Sequence, residues 1–328
     1  MEYGETISQI KEDEKEVQEA ARRNTDVFLT WDYMDIYFAT SMRNDWEFKE
    51  TFDFIQRVFS NARLKKLNLR YFDPTQSKCG NPRDKGLIEG LMLKRALCTI
   101  YLVQESDTMG KDSELAATLA QKKPVIAYVP KHNSREYSKK IYSYPLSFFK
   151  KRLLILQAEE ILDDPDCKEE LLKNNKEYKK IISDFLSKMS DCHPTEPFRL
   201  WMEKENEFKK NYKDFREICE IVAIAECYNF EKRATLLRER HPLAMQLDLQ
   251  SGVANGVLVV RSPEECARLL YRIFTNQLKF VIKHIKLDDQ VRKRKQGYSV
   301  LKEEISKSPF RLITHQTKIT NSFWNLFR

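Results

Sequence analysis

The chain of 328 residues is long enough for one large or two ordinary domains, and its 41% of apolar residues supports a buried core. Only 8 glycines beside 32% charged residues favour a helix-rich architecture and argue against a loop-rich all-β fold. The formal net charge of +8 is small for this length, so it allows a nucleic-acid partner without favouring one.

The seven cysteines are scattered, odd in number and contain no Cys-x-x-Cys pair, which is typical of a reducing compartment. The first residues are charged and lack the apolar segment of a secretory signal, and no apolar stretch approaches the length of a membrane span. We therefore expect a cytoplasmic protein without a membrane-spanning segment. His193 and His241 have no second ligand pair at a metal-binding spacing, so the sequence predicts no metal site.

The first 160 residues alternate between strand-like and helix-like patterns. Short apolar runs typical of strands occupy residues 35–40, 67–72, 98–103, 124–129 and 153–156. Apolar residues at helical spacing occupy residues 44–59, 86–97 and 113–121, with Asp84 placed as an N-cap. Strict alternation of this kind predicts right-handed βαβ crossovers and an α/β fold with a five-stranded parallel sheet flanked by helices.

The pattern changes after residue 160. Residues 161–190 and 198–240 are charged, periodic and nearly free of glycine, which predicts helices. Residues 246–260 then show strand-like alternation around a turn, and Ser262-Pro263 is a favourable helix start. The sequence therefore predicts an α/β domain over residues 1–160 and a mostly helical domain over residues 161–328.

In parallel sheets, ligands bind beyond the carboxyl ends of the strands. The loop after the strand at 98–103 leads into a helix that we expect to begin at Asp112 or Ser113, which places Glu114 in its first turn. There the helix dipole and free backbone N–H groups favour an ionised carboxylate, which can stabilise or attack a sugar C1′ that develops oxocarbenium character. A first-turn glutamate is also common for the dipole alone, so this position by itself leaves both interpretations open.

The segment that contains Glu114 belongs to a longer motif. It runs, in order, through Asp84, Ile88, an apolar strand, Ser106-Asp107, Gly110, Ser113-Glu114-Leu115-Ala116 and Lys123-Pro124-Val125. Over residues 34–130 this motif resembles the nucleoside 2-deoxyribosyltransferase-like group and the bacterial TIR-type NAD⁺ glycohydrolases. The resemblance implies a flavodoxin-like sheet and identifies Glu114 as the glutamate that acts on the ribose anomeric centre.

The resemblance also implies which residues contact the substrate. Asp107 or Asp112 matches an acidic residue that contacts the base. Asp84 matches an acidic residue that opens the preceding helix and also contacts the base side. The loop after the first strand borders the nucleotide, and Trp46 could stack on a base. The predicted substrate contacts are Thr40, Ser41, Arg43, Trp46, Asp73, Asp84, Asp107 and Ser113.

Two departures leave the substrate open between NAD⁺ and a nucleoside. Lys111-Asp112 stands where the TIR signature has a Trp-Cys pair, and the loop before Glu114 is less glycine-rich than in most of the transferases. The additional residues 161–328 favour a regulated NAD⁺ glycohydrolase or cyclase of bacterial anti-phage defence, by analogy of architecture. The alternatives are a nucleoside or nucleotide N-glycosidase or 2-deoxyribosyltransferase, and a non-catalytic nucleotide-sensing or scaffold module.

The same analogy predicts the partners. NAD⁺ is the substrate and no further cofactor is required, because its nicotinamide is already a cationic leaving group. We expect a homo-oligomer, with an effector or partner protein bound by residues 161–328.

Overall fold

A computed structural model describes residues 2–105, 108–121, 123–189, 198–240, 245–247, 254–288 and 295–314. The chain forms two compact units. The first comprises Met1–Val129 and Thr235–Arg328, and the second comprises Pro130–Ala234. This division differs from the single boundary expected at residue 160.

The first unit is built on a six-stranded sheet. Its strands are β1 (Met34–Ala39), β2 (Tyr71–Phe72), β3 (Ala96–Leu102), β4 (Val125–Tyr128), β5 (Met245–Leu247) and β6 (Ala254–Val260). The spatial order is β2-β1-β3-β4-β6-β5, and every strand except β5 runs parallel to its neighbours. The predicted α/β fold with a five-stranded parallel sheet is therefore confirmed, in the strand order of flavodoxin-like folds.

Helices predominate outside this sheet, as predicted. They are α1 (Glu2–Leu29), α2 (Asp45–Phe59), α3 (Ala62–Lys65), α4 (Pro82–Arg95), α5 (Met109–Ala120), α6 (Ser134–Ile141), α7 (Leu146–Ala158), α8 (Pro165–Asn174), α9 (Tyr178–Met189), α10 (Phe198–Asn211), α11 (Phe215–Thr235) and α12 (Pro263–Phe274). Helices α6 to α11 build the second unit. None of the helices in the described ranges combines the length and apolar character that crossing a bilayer requires.

The fifth parallel strand does not come from residues 153–156. These residues lie inside α7, where Leu146, Phe149, Leu153 and Leu156 are all buried at helical spacing. A short apolar run fits a buried helix as well as a strand, and here the helical period continues on the N-terminal side. The strand is supplied by β6, which pairs with β4 from Val125 with Val257 to Tyr128 with Val260.

One face of the parallel sheet packs against α2 and α12. Ile36, Ile100 and Leu258 from three strands are buried in one cluster with Val58 of α2 and Leu270 of α12. Ser262 caps α12 by accepting a hydrogen bond from the Glu265 amide at 3.1 Å, which confirms the predicted helix start. Part of the expected C-terminal domain therefore completes the first unit.

A second, antiparallel sheet follows α12. It contains β7 (Phe280–Asp288), β8 (Lys295–Glu303) and β9 (Pro309–Thr314), in that order. The sequence did not predict this sheet.

Candidate active site

Helix α5 begins earlier than the sequence indicated. Its N-cap is Thr108, whose side chain accepts a hydrogen bond from the Lys111 amide at 3.2 Å. The expected cap at Asp112 or Ser113 is therefore wrong, and the Ser113 hydroxyl instead donates to the Met109 carbonyl at 2.8 Å. Glu114 lies in the second turn, beyond the reach of the free N–H groups and of most of the dipole effect.

The start of α5 is fastened to the end of β3. The Lys111 side chain is 2% exposed, and its ammonium donates to the Leu102 carbonyl at 2.9 Å and lies 5.3 Å from the centre of the Tyr101 ring. The Tyr101 hydroxyl donates to Asp112 Oδ1 at 2.9 Å. These contacts hold α5 against the sheet and so fix the position of Glu114.

Glu114 receives a hydrogen bond from a tyrosine of the sheet. The Tyr37 hydroxyl on β1 donates to Glu114 Oε1 at 2.8 Å. Tyr37 is fully buried, and its ring stacks on Phe72 at 5.5 Å between centroids. Burial, followed by the charge of Glu114, raises the pKa of Tyr37 well above its usual range, so its hydroxyl stays protonated as a donor.

The pKa of Glu114 is shifted in the direction opposite to the one expected from the helix dipole. Burial raises its pKa from the usual 4.5 to about 7, and this outweighs the opposing hydrogen bond from Tyr37. The charge of Glu89 raises the pKa further, whereas Lys111 and Lys85 lower it. Near neutral pH, Glu114 is therefore populated both as the acid and as the carboxylate.

Two of these charges come from α4. Lys85 and Glu89 are four residues apart, with 3.8 Å between Nζ and Oε1, and burial raises the pKa of Glu89 as well. Lys85, Glu89 and Tyr37 were not among the residues predicted from the sequence to form the site. The i,i+4 spacing at the start of a predicted helix was a usable signal for Lys85 and Glu89, whereas a tyrosine within an apolar strand gave none.

Thr40 and Ser41 join two loops at the carboxyl edge of the sheet. Gln104 Oε1 accepts hydrogen bonds from the Ser41 amide at 2.7 Å and from the Thr40 hydroxyl at 3.1 Å. The hydroxyl oxygens of Thr40 and Thr51 lie 2.7 Å apart, and both threonines are buried. The polar groups of Thr40 and Ser41 therefore hold together the loops that follow β1 and β3.

The next residues of this loop start α2. Glu47 is fully buried and its Oε2 accepts hydrogen bonds from the Arg43 and Asn44 amides at 2.8 and 2.9 Å. Arg43 has an exposed side chain, and Trp46 is half-buried in the first turn of the helix. The Arg43 side chain is thus accessible in the loop that follows β1.

Asp73 and Asp84 have local roles. The buried Asp73 Oδ1 accepts from the Thr75 amide and hydroxyl at 2.9 and 2.7 Å, and burial raises its pKa. Asp84 is exposed and is not the N-cap of α4, because Asn81 occupies that position. Asn81 Oδ1 accepts from the Asp84 amide at 2.9 Å, and its Nδ2 donates to Asp84 Oδ2 at 2.6 Å.

The remaining predicted contact, Asp107, lies outside the described residues. Within the described ranges, no group of three or more His, Cys, Asp or Glu side chains is arranged to hold a metal ion.

Comparisons of the chain with protein-family models, with curated proteins and with solved structures found no match.

Proposed function

We propose that the first unit is an enzyme that cleaves the glycosidic bond between a ribose and a nitrogen base, with Glu114 as its catalytic carboxylate. The observation that carries the proposal is the pairing of Glu114 with the Tyr37 hydroxyl, behind the carboxyl edge of a parallel sheet. That edge is where α/β folds of this class bind nucleotides. A strongly perturbed carboxyl at such an edge is a candidate functional group.

The geometry gives the two carboxyl oxygens different roles. Oε1 accepts from Tyr37, and none of the described residues donates to Oε2. Oε2 is therefore available to a substrate, while Tyr37 fixes the plane of the carboxyl group. An ionised Glu114 would stabilise positive charge at the anomeric carbon, or bond to it, as the C1′–N bond breaks.

We favour NAD⁺ as the substrate because of the chemistry of its leaving group. When the bond to nicotinamide breaks, its electron pair neutralises the cationic ring nitrogen, so the leaving group needs no proton. Water then adds to C1′ and releases a proton, which gives hydrolysis; addition of a ring nitrogen of the substrate gives a cyclic product. The positive charge of bound NAD⁺ would also lower the pKa of Glu114 and favour the carboxylate.

One observation supports a second candidate, a nucleoside or nucleotide N-glycosidase or 2-deoxyribosyltransferase. A neutral base leaves more readily when it is protonated, and the pKa of about 7 keeps part of Glu114 protonated near neutral pH. The third candidate, a non-catalytic nucleotide-sensing or scaffold module, requires binding at this edge without turnover.

Control and cellular role complete the proposal. Because β6 and α12 belong to the α/β unit, we assign the regulatory or assembly role to the second unit, Pro130–Ala234. We propose that the protein acts in the bacterial cytoplasm as a homo-oligomer in anti-phage defence, and that an effector or partner protein controls it.

The test compares Glu114→Gln with Glu264→Gln in the full-length protein. Each is incubated with NAD⁺ and with deoxynucleosides at several protein concentrations, and the released bases are separated by chromatography. We expect Glu114→Gln to slow nicotinamide release about 10³-fold, as loss of a principal electrostatic group does. Glu264 lies on the surface in the same unit, paired with Arg57 at 2.9 Å, so its variant should retain activity.

The other outcomes separate the candidates. Release of bases from deoxynucleosides without release of nicotinamide favours the second candidate. Binding of NAD⁺ by the parent and by Glu114→Gln, with no turnover at any protein concentration, favours the binding module.

A further inference from the structure

The first unit contains a cationic cleft that the proposed function does not use. This cleft has a volume of about 580 Å³ and is lined by Arg63, Arg268, Tyr271, Arg272, Gln277 and Lys279, among others. No carboxylate is among its lining residues. Pockets of roughly 300–1,000 Å³ are the size that small-molecule ligands occupy.

The packing of α12 explains why cations meet there. Cys266, Leu269 and Leu270 form the buried face of this helix. Arg268 and Arg272 are one turn apart on the opposite face. Arg63 comes from α3, and Lys279 from the connection between α12 and β7, so three separate segments contribute positive charge.

Part of this charge is uncompensated. Arg272 Nη1 lies 2.8 Å from Glu304 Oε2 and 3.6 Å from Glu303 Oε1, so its charge is balanced. The side chains of Arg63, Arg268 and Lys279 make no ion pair or hydrogen bond with any described residue. Like charges in a concave surface reinforce one another and raise the local positive potential, which attracts anions.

The cleft is separate from Glu114. Helices that follow parallel strands run back toward the amino-terminal edge of the sheet, and residues 61–63 and 277–279 come after α2 and α12 have done so. Glu114 lies behind the opposite, carboxyl edge. A ligand in the cleft would therefore not occupy the substrate position.

We propose that the cationic cleft is a binding site for a small molecule that carries two or more linked phosphate groups. The guanidinium groups of Arg63 and Arg268 match phosphate oxygens in bidentate geometry, and Lys279 adds a point charge. The partly buried Tyr271 supplies an apolar wall. A compact cleft of this volume fits a small polyphosphate better than an extended nucleic-acid backbone, which requires a longer basic surface.

The experiment is a calorimetric titration of the full-length protein with inorganic pyrophosphate and, separately, with ADP. Loss of one charged contact should raise Kd about tenfold in Arg63→Gln and in Arg268→Gln. Arg216→Gln is the control, because Arg216 is an exposed arginine of α11 in the second unit. Affinity should also fall as salt is raised. Melting temperatures of all variants show whether the fold is retained, and Lys279→Gln replaces any variant that fails.

Both probes test the same phosphate chemistry. Equal affinities for pyrophosphate and ADP indicate that the phosphates alone are bound. Tighter binding of ADP indicates that the natural ligand is a nucleotide. Either result supports the site if Arg63→Gln and Arg268→Gln weaken the binding. Failure of both probes to bind, or unchanged affinity in both variants, overturns the proposal. If a single-stranded oligonucleotide binds with lower affinity to both variants, and pyrophosphate does not bind, the cleft is instead a nucleic-acid surface. None of these readouts depends on catalysis by Glu114.

Discussion

Glu114 in the first unit and Glu226 in the second are both withdrawn from solvent, but their partners differ. Glu226 is fully buried, and its Oε1 forms an ion pair with the equally buried guanidinium of Arg152. Glu114 receives only a hydrogen bond from the neutral hydroxyl of Tyr37, and burial raises its pKa to about 7. A buried carboxylate with a matched cation holds helices together, whereas a buried carboxyl held by a single neutral hydroxyl has a raised pKa and is a candidate functional group.

Two other buried glutamates accept several hydrogen bonds through one carboxylate oxygen. Glu47 accepts two backbone N–H groups at the start of α2. Glu303 accepts the amides of Ile305 and Ser306 at 2.9 and 2.7 Å, and the hydroxyl of Ser306 at 2.8 Å. Burial of a glutamate is therefore not distinctive in this chain; Glu114 differs in that its one donor is a neutral hydroxyl and in that burial raises its pKa to about 7.

Glu226→Gln should have the largest effect on stability. It leaves the Arg152 guanidinium buried without a counter-charge, and breaking a buried pair from one side costs about 3–5 kcal/mol. Urea unfolding followed by circular dichroism measures the loss. A change below about 1 kcal/mol would show that the pair does not hold the second unit together, and the contrast with Glu114 would fail.

Glu114→Gln should change stability in the opposite direction, in a pH-dependent way. The folded pKa of Glu114 is raised, so the folded state binds its proton more tightly than the unfolded state, and stability falls as pH rises from about 4.5 to about 7. Glutamine does not titrate, so the variant does not lose this stability. Relative to the parent, it should be more stable at pH 8 by up to about 3 kcal/mol, with little change near pH 4. Melting temperatures of parent and variant at both pH values measure it, and equal differences at the two pH values would contradict the raised pKa.

Tyr37→Phe should reduce activity about tenfold near pH 7, the effect of losing one hydrogen bond to a charged group. The bond from Tyr37 lowers the pKa of Glu114, so its removal should shift that pKa upward. If the carboxylate is the active form, kcat/KM rises with pH through about 7 in the parent and at higher pH in the variant. A profile that falls with pH would instead indicate that Glu114 acts as an acid, as the nucleoside candidate requires. Loss of activity without any displacement of the profile would give Tyr37 a purely structural role.

Asp84→Asn should have the smallest effect, within about 0.5 kcal/mol in stability, because the exposed Asp84 only supports the Asn81 cap. Activity should be nearly unchanged if Asp84 has no substrate contact. A large rise in KM for NAD⁺ at an unchanged melting temperature would restore the base contact that the sequence resemblance implies.

Local patterns predicted much of the parallel sheet. Strands buried on both faces are near-continuous apolar runs, so β1, β3 and β4 lie within one or two residues of their predicted positions. The run at 67–72 was too long, because only Tyr71–Phe72 pair with β1, while Leu67 and Leu69 pack against the core from a loop. Apolar spacing predicts which residues are buried, but a buried residue does not have to pair with a neighbouring strand.

The amino-acid sequence by itself determined the α/β class, the loops at the carboxyl edge and the presence of Glu114 on the helix after β3, since all of these follow from short-range periodicity. Only the tertiary structure decided that β6 joins β4, because residues 130–234 intervene and no local signal encodes that pairing. The tertiary structure also determined the pKa of Glu114. Burial and the hydroxyl of Tyr37, 77 residues away in sequence, set the pKa of that carboxyl, and both exist only when β1 and α5 are packed together.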